Sequence, residues 1–559
     1  MYKDLSIERK LLQGRYLLPK WFSTGGYQLF KEKYQGNAKS FRERVNTIAY
    51  TAAQHLPEYL RADYFHKFFN MIWNGWLSCS TPVLANMGTN RGMPVSCSGG
   101  VVDDSVSGFY GNLLENAVLT KHGFGTSAYV GDIRPRGSSI SVGGKASGSL
   151  PVIKDLATMT MNISQGTARR GAIASYLPIN HGDFWEVVSY LEREPDGLNI
   201  GWCIDDSFIT DLNNGVTDAL ARYQRALKVK MVTGKGYFFF TDKVNRHAPT
   251  CYKDLGFKVK ASNLCNEINL YSDKDHTFTC VLSSLNLAKY EEWANTTTIQ
   301  DAIVFLDCVA SEFIKKAKGI PELANAVRFT EKGRALGLGV CGLHTYLQKN
   351  NIPFESLDAI SHNNLIFKNI RHEANLASVM LGELLGTPEW VASRRNTHLL
   401  AIAPTKSTAL IMGGVSEGIN PDPAMAFTQA TAGGEVNRVN PVLLDLLKQK
   451  GVSLDKTINQ VISDRGSVQN LDCLDDHEKL VFRTAFEINQ SSIIRMASQR
   501  GKYIDQWQSL NLFFSSDADP QIISDVHKEA FLDEGIRGLY YVYSKAGVSG
   551  SNGECIACQ

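Results

Sequence analysis

Residues 1–75 place apolar and aromatic side chains at helical spacing, as in Tyr64, Phe68 and Ile72. That pattern predicts a mainly helical front. From Ser78 to about Gly148 the texture changes to Gly, Ser and Asn, with short apolar runs at 96–102 and 127–130. The Gly/Ser-rich segment 137–148 reads as loop. Helical patterns and short buried-strand patterns then alternate to about Asn511, which favours an α/β fold with a parallel or mixed sheet. Gly-rich stretches beside apolar runs are the expected place for binding loops. From Ser544 onward the chain is small, polar and Gly-rich, and reads as a mobile tail. No internal repeat is visible. The expected division is 1–75, 76–543 and 544–559.

A length of 559 residues allows several domains or one large one. With 43% apolar and 20% charged residues the chain reads as globular. A net charge of +2 without a one-sign run argues against stable nucleic-acid binding. No stretch approaches the ~18 apolar residues of a membrane span. The start, 1–10, is charged and has no apolar signal core. A cytoplasmic protein is expected. The eleven cysteines are odd in number and sparse, which argues against a secreted disulfide framework. Two of them, Cys555 and Cys558, stand almost at the chain end, where a core cysteine would not be put.

Several familiar motifs fail on context. Gly337-Leu338-Gly339-Val340-Cys341-Gly342 fits a dinucleotide loop, but a charged segment precedes it instead of a strand. Close backbone packing is the better reading of those glycines. Gly143-Gly144-Lys145 lacks the upstream glycine and following hydroxyl of a phosphate loop. His372-Glu373 and His477-Glu478 have no second histidine at zinc-protease spacing, and the terminal C-x-x-C has no second pair. No metal site is expected.

The informative stretch is Ser262-Asn263-Leu264-Cys265-Asn266-Glu267. In an extended or tight loop, alternation sends 263, 265 and 267 to one side, bringing together an amide, a thiol and a carboxylate. The carboxylate suits a general base, and the thiol a nucleophile or hydrogen-atom carrier. Taken alone, a loop with a buried cysteine explains the stretch as well.

This stretch resembles the active-site loop of the ribonucleotide reductase large subunit. Six further motifs resemble that family in the same chain order. They are Ser78-Cys79-Ser80-Thr81-Pro82, Ser96-Cys97, Cys280 to Leu287, Ala403 to Thr408 followed by Glu417 to Pro421, Leu539-Tyr540-Tyr541, and the terminal C-x-x-C. The resemblance covers residues 75–559. It implies a ten-stranded α/β barrel of two five-stranded halves around a central finger loop, preceded here by the helical region and followed by a redox-active tail. It also implies reduction of ribonucleoside diphosphates to their 2′-deoxy forms by a thiyl-radical mechanism.

The family map gives each residue a task. Cys265 would carry the thiyl radical, Glu267 would take the 3′-hydroxyl proton, and Asn263 would hold a sugar hydroxyl or the developing carbonyl. Cys97 and Cys280 would supply two electrons and end as a disulfide. Cys555 and Cys558 would re-reduce that disulfide by thiol–disulfide exchange. The other cysteines (Cys79, Cys203, Cys251, Cys308, Cys341, Cys473) read as core. Thr81, Ser96, Gly123 and the run Pro404, Thr405, Lys406, Ser407, Thr408 match substrate-binding positions.

Tyr540 and Tyr541 match the radical relay of class I enzymes, with the order Tyr541, Tyr540, Cys265. Such enzymes bind no radical cofactor on this chain and take the radical from a separate metal-containing small subunit. Thioredoxin or glutaredoxin is the expected reductant, and a homodimer the expected assembly. The first redox cysteine already stands at 97, which leaves no room for the N-terminal ATP-binding domain of longer members. No dATP shut-off through such a domain is expected. Asp104, Ser105 and Arg134 match a site for a dNTP or ATP effector. A second expected arginine is Ser141, and the loop 193–201 is short, with Leu198 to Gly201 reading somewhat like class II. Two alternatives stay open: an adenosylcobalamin-dependent class II reductase, and an inactive nucleotide-binding paralogue.

Overall fold

The computed structural model describes residues 2–544 except 142, 166–168 and 432–433. Cys555 and Cys558 lie outside the described residues.

The front of the chain folds as helices Tyr2–Gly14, Thr24–Leu29, Phe41–Ala53 and Glu58–Trp73. Ser40 caps the third of these by accepting from the Glu43 N–H at 3.2 Å. Glu58–Trp73 buries Tyr64, Phe68, Met71 and Ile72, a repeat of three and four. Phe68 meets Phe305 edge to face at 5.2 Å, which docks the front on the long helix Thr298–Ala317.

The remainder is built on one nine-stranded sheet. In chain order its strands are β1 (Leu77–Cys79), β2 (Cys97–Val101), β3 (Gly125–Tyr129), β4 (Ile173–Pro178), β5 (Ile200–Ile204), β6 (Tyr237–Phe240), β7 (Phe278–Asn286), β8 (Leu336–Cys341) and β9 (Gly538–Leu539). Strands β2, β3, β4, β5 and β6 lie side by side, all parallel. Burial of both faces explains the mainly apolar sequence of β4, β5 and β6, whereas the equally buried β2 and β3 are built largely from small residues such as Gly99, Gly100, Ser127 and Ala128.

On the far side β8 runs parallel to β7, and single parallel bridges continue from Leu338 to Leu400 and from Ile402 to Gln508. The two parallel sets meet antiparallel at β2–β7 and again where β9 joins β6. Regular pairing thus forms the first five-stranded half completely. Beyond β8 the second half is continued by single bridges at Leu400, Ile402 and Gln508.

Gly337 and Gly339 lie inside β8, so the dinucleotide-like motif is a strand and not a loop. A Cβ at Gly337 would come within 2.4 Å of Leu282, and one at Gly339 within 2.6 Å of the Ala401 carbonyl. No helix among the described residues is long and apolar enough to cross a membrane.

Candidate active site

The segment 260–272 threads the interior between the two strand sets without regular secondary structure. It is a turn and not an extended loop: Asn266 has φ +63°, and the Asn266 N–H donates to the Asn263 carbonyl at 3.3 Å. Simple alternation therefore does not orient its side chains. Cys265 and Glu267 line a cleft, whereas Asn263 is buried behind it. Asn266 tolerates the left-handed conformation, and its amide donates to the carbonyls of Phe238 (3.0 Å) and Leu539 (3.3 Å).

Asn263 fastens the turn from within. Its Oδ1 accepts from the N–H groups of Glu267 (3.1 Å) and Ile268 (3.2 Å), and its Nδ2 donates to Cys97 Sγ at 3.3 Å. Tyr176, on β4, donates its phenol to the Asn263 carbonyl at 2.6 Å. Ser509 donates to the Cys265 carbonyl (2.7 Å) and to Glu267 Oε2 (3.2 Å). Burial raises the Glu267 pKa to about 7, against the opposing pull of the Asn263, backbone and Ser509 hydrogen bonds. A carboxyl poised there suits proton transfer near neutral pH.

Cys97 and Cys280 are direct partners in the antiparallel β2–β7 register. Directly opposed residues have Cβ atoms about 4.5–5.5 Å apart, within reach of a disulfide after small adjustment. No disulfide joins them in this structure.

The cleft is open to solvent on one side and spans about 550 Å³ with that open space included. Thr81, Ser96, Pro404, Thr405, Ser407 and Thr408 line it together with Cys97, Cys265 and Glu267. Two short helices, Thr81–Asn86 and Lys406–Ile411, begin there, so their first N–H groups are available to an anion. Thr405 adopts φ +54°, unusual for a β-branched residue. Its hydroxyl accepts from the Gly418 N–H at 2.8 Å, which holds that geometry. The hydroxyls of Ser78, Ser80 and Ser283 have no protein partner among the described residues and suit a hydroxyl-rich ligand.

Two of the expected residues stand elsewhere. Lys406 does not line the cleft; its charge instead draws down the pKa of Glu417, which burial raises. Gly123 sits at φ +101° in the turn before β3 and does not line the cleft either.

Tyr540 and Tyr541 stack with ring centroids 4.0 Å apart, tilted by 46°. Tyr540 directly follows β9, whose Leu539 carbonyl takes the Asn266 hydrogen bond beside Cys265. Tyr237 packs on both rings, at 4.8 and 5.5 Å, and its hydroxyl lies 3.4 Å from that of Tyr541. The buried Lys230 donates to the Tyr540 carbonyl, and burial lowers its pKa to about 7.

Asp104 and Arg134 pair with each other at 2.5 Å, and Ser105 caps the helix Val106–Lys121 by accepting from Gly108 N–H. Cys79, Cys203, Cys308 and Cys341 are buried, as the core reading expects. Cys251 and Cys473 are only half-buried at the edges of apolar clusters, because each sits on a short surface segment.

Sequence reading missed Ser509, Gln506, Tyr176, Tyr237 and Lys230. The first two stand in the stretch 505–511, which is buried throughout although Asp505, Gln506, Gln508, Ser509 and Asn511 are polar, and polarity in the sequence gives no sign of that burial.

Family models match the chain as "Ribonucleotide reductase, all-alpha domain" over 20–92 and "Ribonucleotide reductase, barrel domain" over 95–222, 213–394 and 390–542. The chain belongs to the ribonucleotide reductase large-subunit family. A putative ribonucleoside-diphosphate reductase large subunit of Frog virus 3 (isolate Goorha) is 34% identical, over 87% of this chain and 90% of that protein. The ribonucleoside-diphosphate reductase large subunit of Danio rerio is 28% identical, over 86% of this chain and 70% of that protein. Among solved structures, the Actinobacillus ureae class Id ribonucleotide reductase alpha subunit matches with TM-score 0.86 and 37% identity, over 94% of this chain and 98% of that one. The chain is thus a class I-type reductase large subunit, with the mixed α/β barrel of its family and a helical front.

Proposed function

We propose that this chain reduces ribonucleoside diphosphates to 2′-deoxyribonucleotides, using Cys265 as the hydrogen-atom carrier and Cys97 with Cys280 as the dithiol. The observation that supports this most is the convergence of Cys265, Glu267 and Cys97 on one cleft, with Cys280 paired to Cys97 across the strand joint. Hydroxide is a poor leaving group from C2′. A thiyl radical on Cys265 removes the 3′ hydrogen atom, and Glu267 takes the 3′-hydroxyl proton. The 2′-hydroxyl leaves as water on receiving a proton from the dithiol. Cys97 and Cys280 then deliver two electrons and their second proton, so that C2′ gains a hydrogen and the two sulfurs join as a disulfide. Glu267 returns its proton to the 3′-oxygen, and Cys265 returns its hydrogen atom to C3′. Asn263 fixes the turn that presents these groups.

A separate small subunit supplies the radical. Within this chain Tyr541, Tyr540 and Cys265 relay it, phenol to phenol to thiol. The substrate phosphates sit where the helices at Thr81 and Lys406 begin, with Ser96 and residues 404–408 nearby. Cys555 and Cys558 restore the dithiol and are themselves reduced by thioredoxin or glutaredoxin. Asp104, Ser105 and Arg134 form an effector site for a dNTP or ATP. A homodimer fits the helix Val106–Lys121, which exposes Val106, Tyr110 and Leu114 at 71%, 58% and 55%, four residues apart along one face.

The test is an assay of all four ribonucleoside diphosphates with the small subunit present, with and without each dNTP. Activity of the parent and its fall to background in Cys265→Ser is the expected result. Full activity of Cys265→Ser would reject the radical mechanism. Turnover with adenosylcobalamin and no second protein would reject the class I relay.

A further inference from the structure

Each sulfur of the dithiol receives one carboxamide N–H. Asn263 Nδ2 lies 3.3 Å from Cys97 Sγ, and Gln506 Nε2 lies 3.4 Å from Cys280 Sγ. Neither amide can turn round. The Asn263 oxygen is taken by the N–H groups of Glu267 and Ile268. The Gln506 oxygen accepts from Asn269 N–H at 3.1 Å, while its nitrogen also donates to the Leu336 carbonyl at 2.9 Å. The central turn therefore sets both donors from its own backbone.

The two sulfurs differ in access. Cys97 is 5% exposed and lines the cleft, while Cys280 is 0% exposed and does not. Burial opposes a thiolate on Cys280, the charges of Glu267 and Asp505 oppose it further, and the Gln506 hydrogen bond favours it.

Resting on the dithiol role proposed above, we infer that Gln506 is a positioning residue that makes Cys280 the leaving sulfur when the Cys97–Cys280 disulfide is reopened. The thiolate of a dithiol reductant attacks Cys97 Sγ and forms a new S–S bond there. The Cys97–Cys280 bond breaks, and its electron pair leaves on Cys280 Sγ, where the Gln506 N–H receives the charge. The second thiol of the reductant then opens the mixed disulfide. The reductant ends as its disulfide, and its two protons end on Cys97 and Cys280.

The test uses the full-length chain carrying Cys555→Ser and Cys558→Ser, oxidised to the internal disulfide. The small monothiol 2-mercaptoethanol is added, the reaction is quenched in acid and alkylated, and peptides are read by mass spectrometry. The expected product carries mercaptoethanol on Cys97 and the alkyl label on Cys280. With dithiothreitol as reductant, Gln506→Met is expected to slow opening by ~10-fold or more, as loss of a hydrogen bond to a charged group implies. Gln506→Glu, of the same shape but acidic, is expected to slow it at least as much. Mercaptoethanol on Cys280, or opening of Gln506→Met at the parent rate, overturns the inference. The trapping position is read with Gln506 intact, so it does not depend on a variant folding. Failure of the parent to form any Cys97–Cys280 disulfide would instead overturn the dithiol assignment itself.

Discussion

Burial holds the Glu267 carboxyl at a pKa of about 7, where the ordinary value is 4.5. Between those two values the folded chain keeps a proton that the unfolded chain has lost, so stability falls as pH rises through that window. Glu267→Gln removes this cost. The variant should be more stable than the parent at pH 8, by up to about 3 kcal/mol, and no more stable at pH 4.5. Thermal unfolding at the two pH values checks it; an equal difference at both would sink the idea. At this scale the sequence was legible for residue type but not for orientation. Asn263, Cys265 and Glu267 were picked out by chemistry. Their directions come from a left-handed Asn266 and from Ser509, Tyr176 and Gln506, which lie far away in sequence. Nothing local distinguishes those partners from other buried polar residues.

At the scale of elements, β7 and β8 decide how the site is enclosed. Gly339 allows β8 to lie against the Ala401 carbonyl, and backbone cannot give way there as a side-chain tip can. Gly339→Ala should therefore destabilise the fold by about 1–3 kcal/mol or more. Gly319→Ala, with nothing within 4 Å of the added carbon, should stay within about 0.5 kcal/mol of the parent. Melting temperatures of the two variants test the contrast; similar losses would refute it. The glycine pattern in β8 was readable as close packing because its upstream context is wrong for a binding loop. Helices of the front were readable from apolar spacing. The second half of the barrel was not, since its pairing beyond β8 rests on single bridges that leave no periodic signature.

For the whole molecule, the apolar stripe on Val106–Lys121 is a surface that the folded chain leaves uncovered. If it joins two copies, a charge at its centre should part them, because burying an unpaired carboxylate is costly. Leu114→Glu is expected to sediment as a monomer where the parent sediments as a dimer. A parent that is monomeric, or a variant with unchanged mass, would count against the assembly. Sequence by itself determined the reactive groups, their order along the chain and the family they match, because thiols, carboxylates and phenols keep their chemistry wherever they stand. Only the tertiary structure decided which of them meet. Antiparallel joining of the two strand sets puts Cys97 opposite Cys280, the turn at Asn266 faces Cys265 and Glu267 into the cleft, and β9 brings the tyrosine stack beside them. The physical reason is that strand pairing between distant segments is fixed by burial of both faces and by backbone hydrogen bonding across the whole sheet, and no local stretch of sequence contains that information.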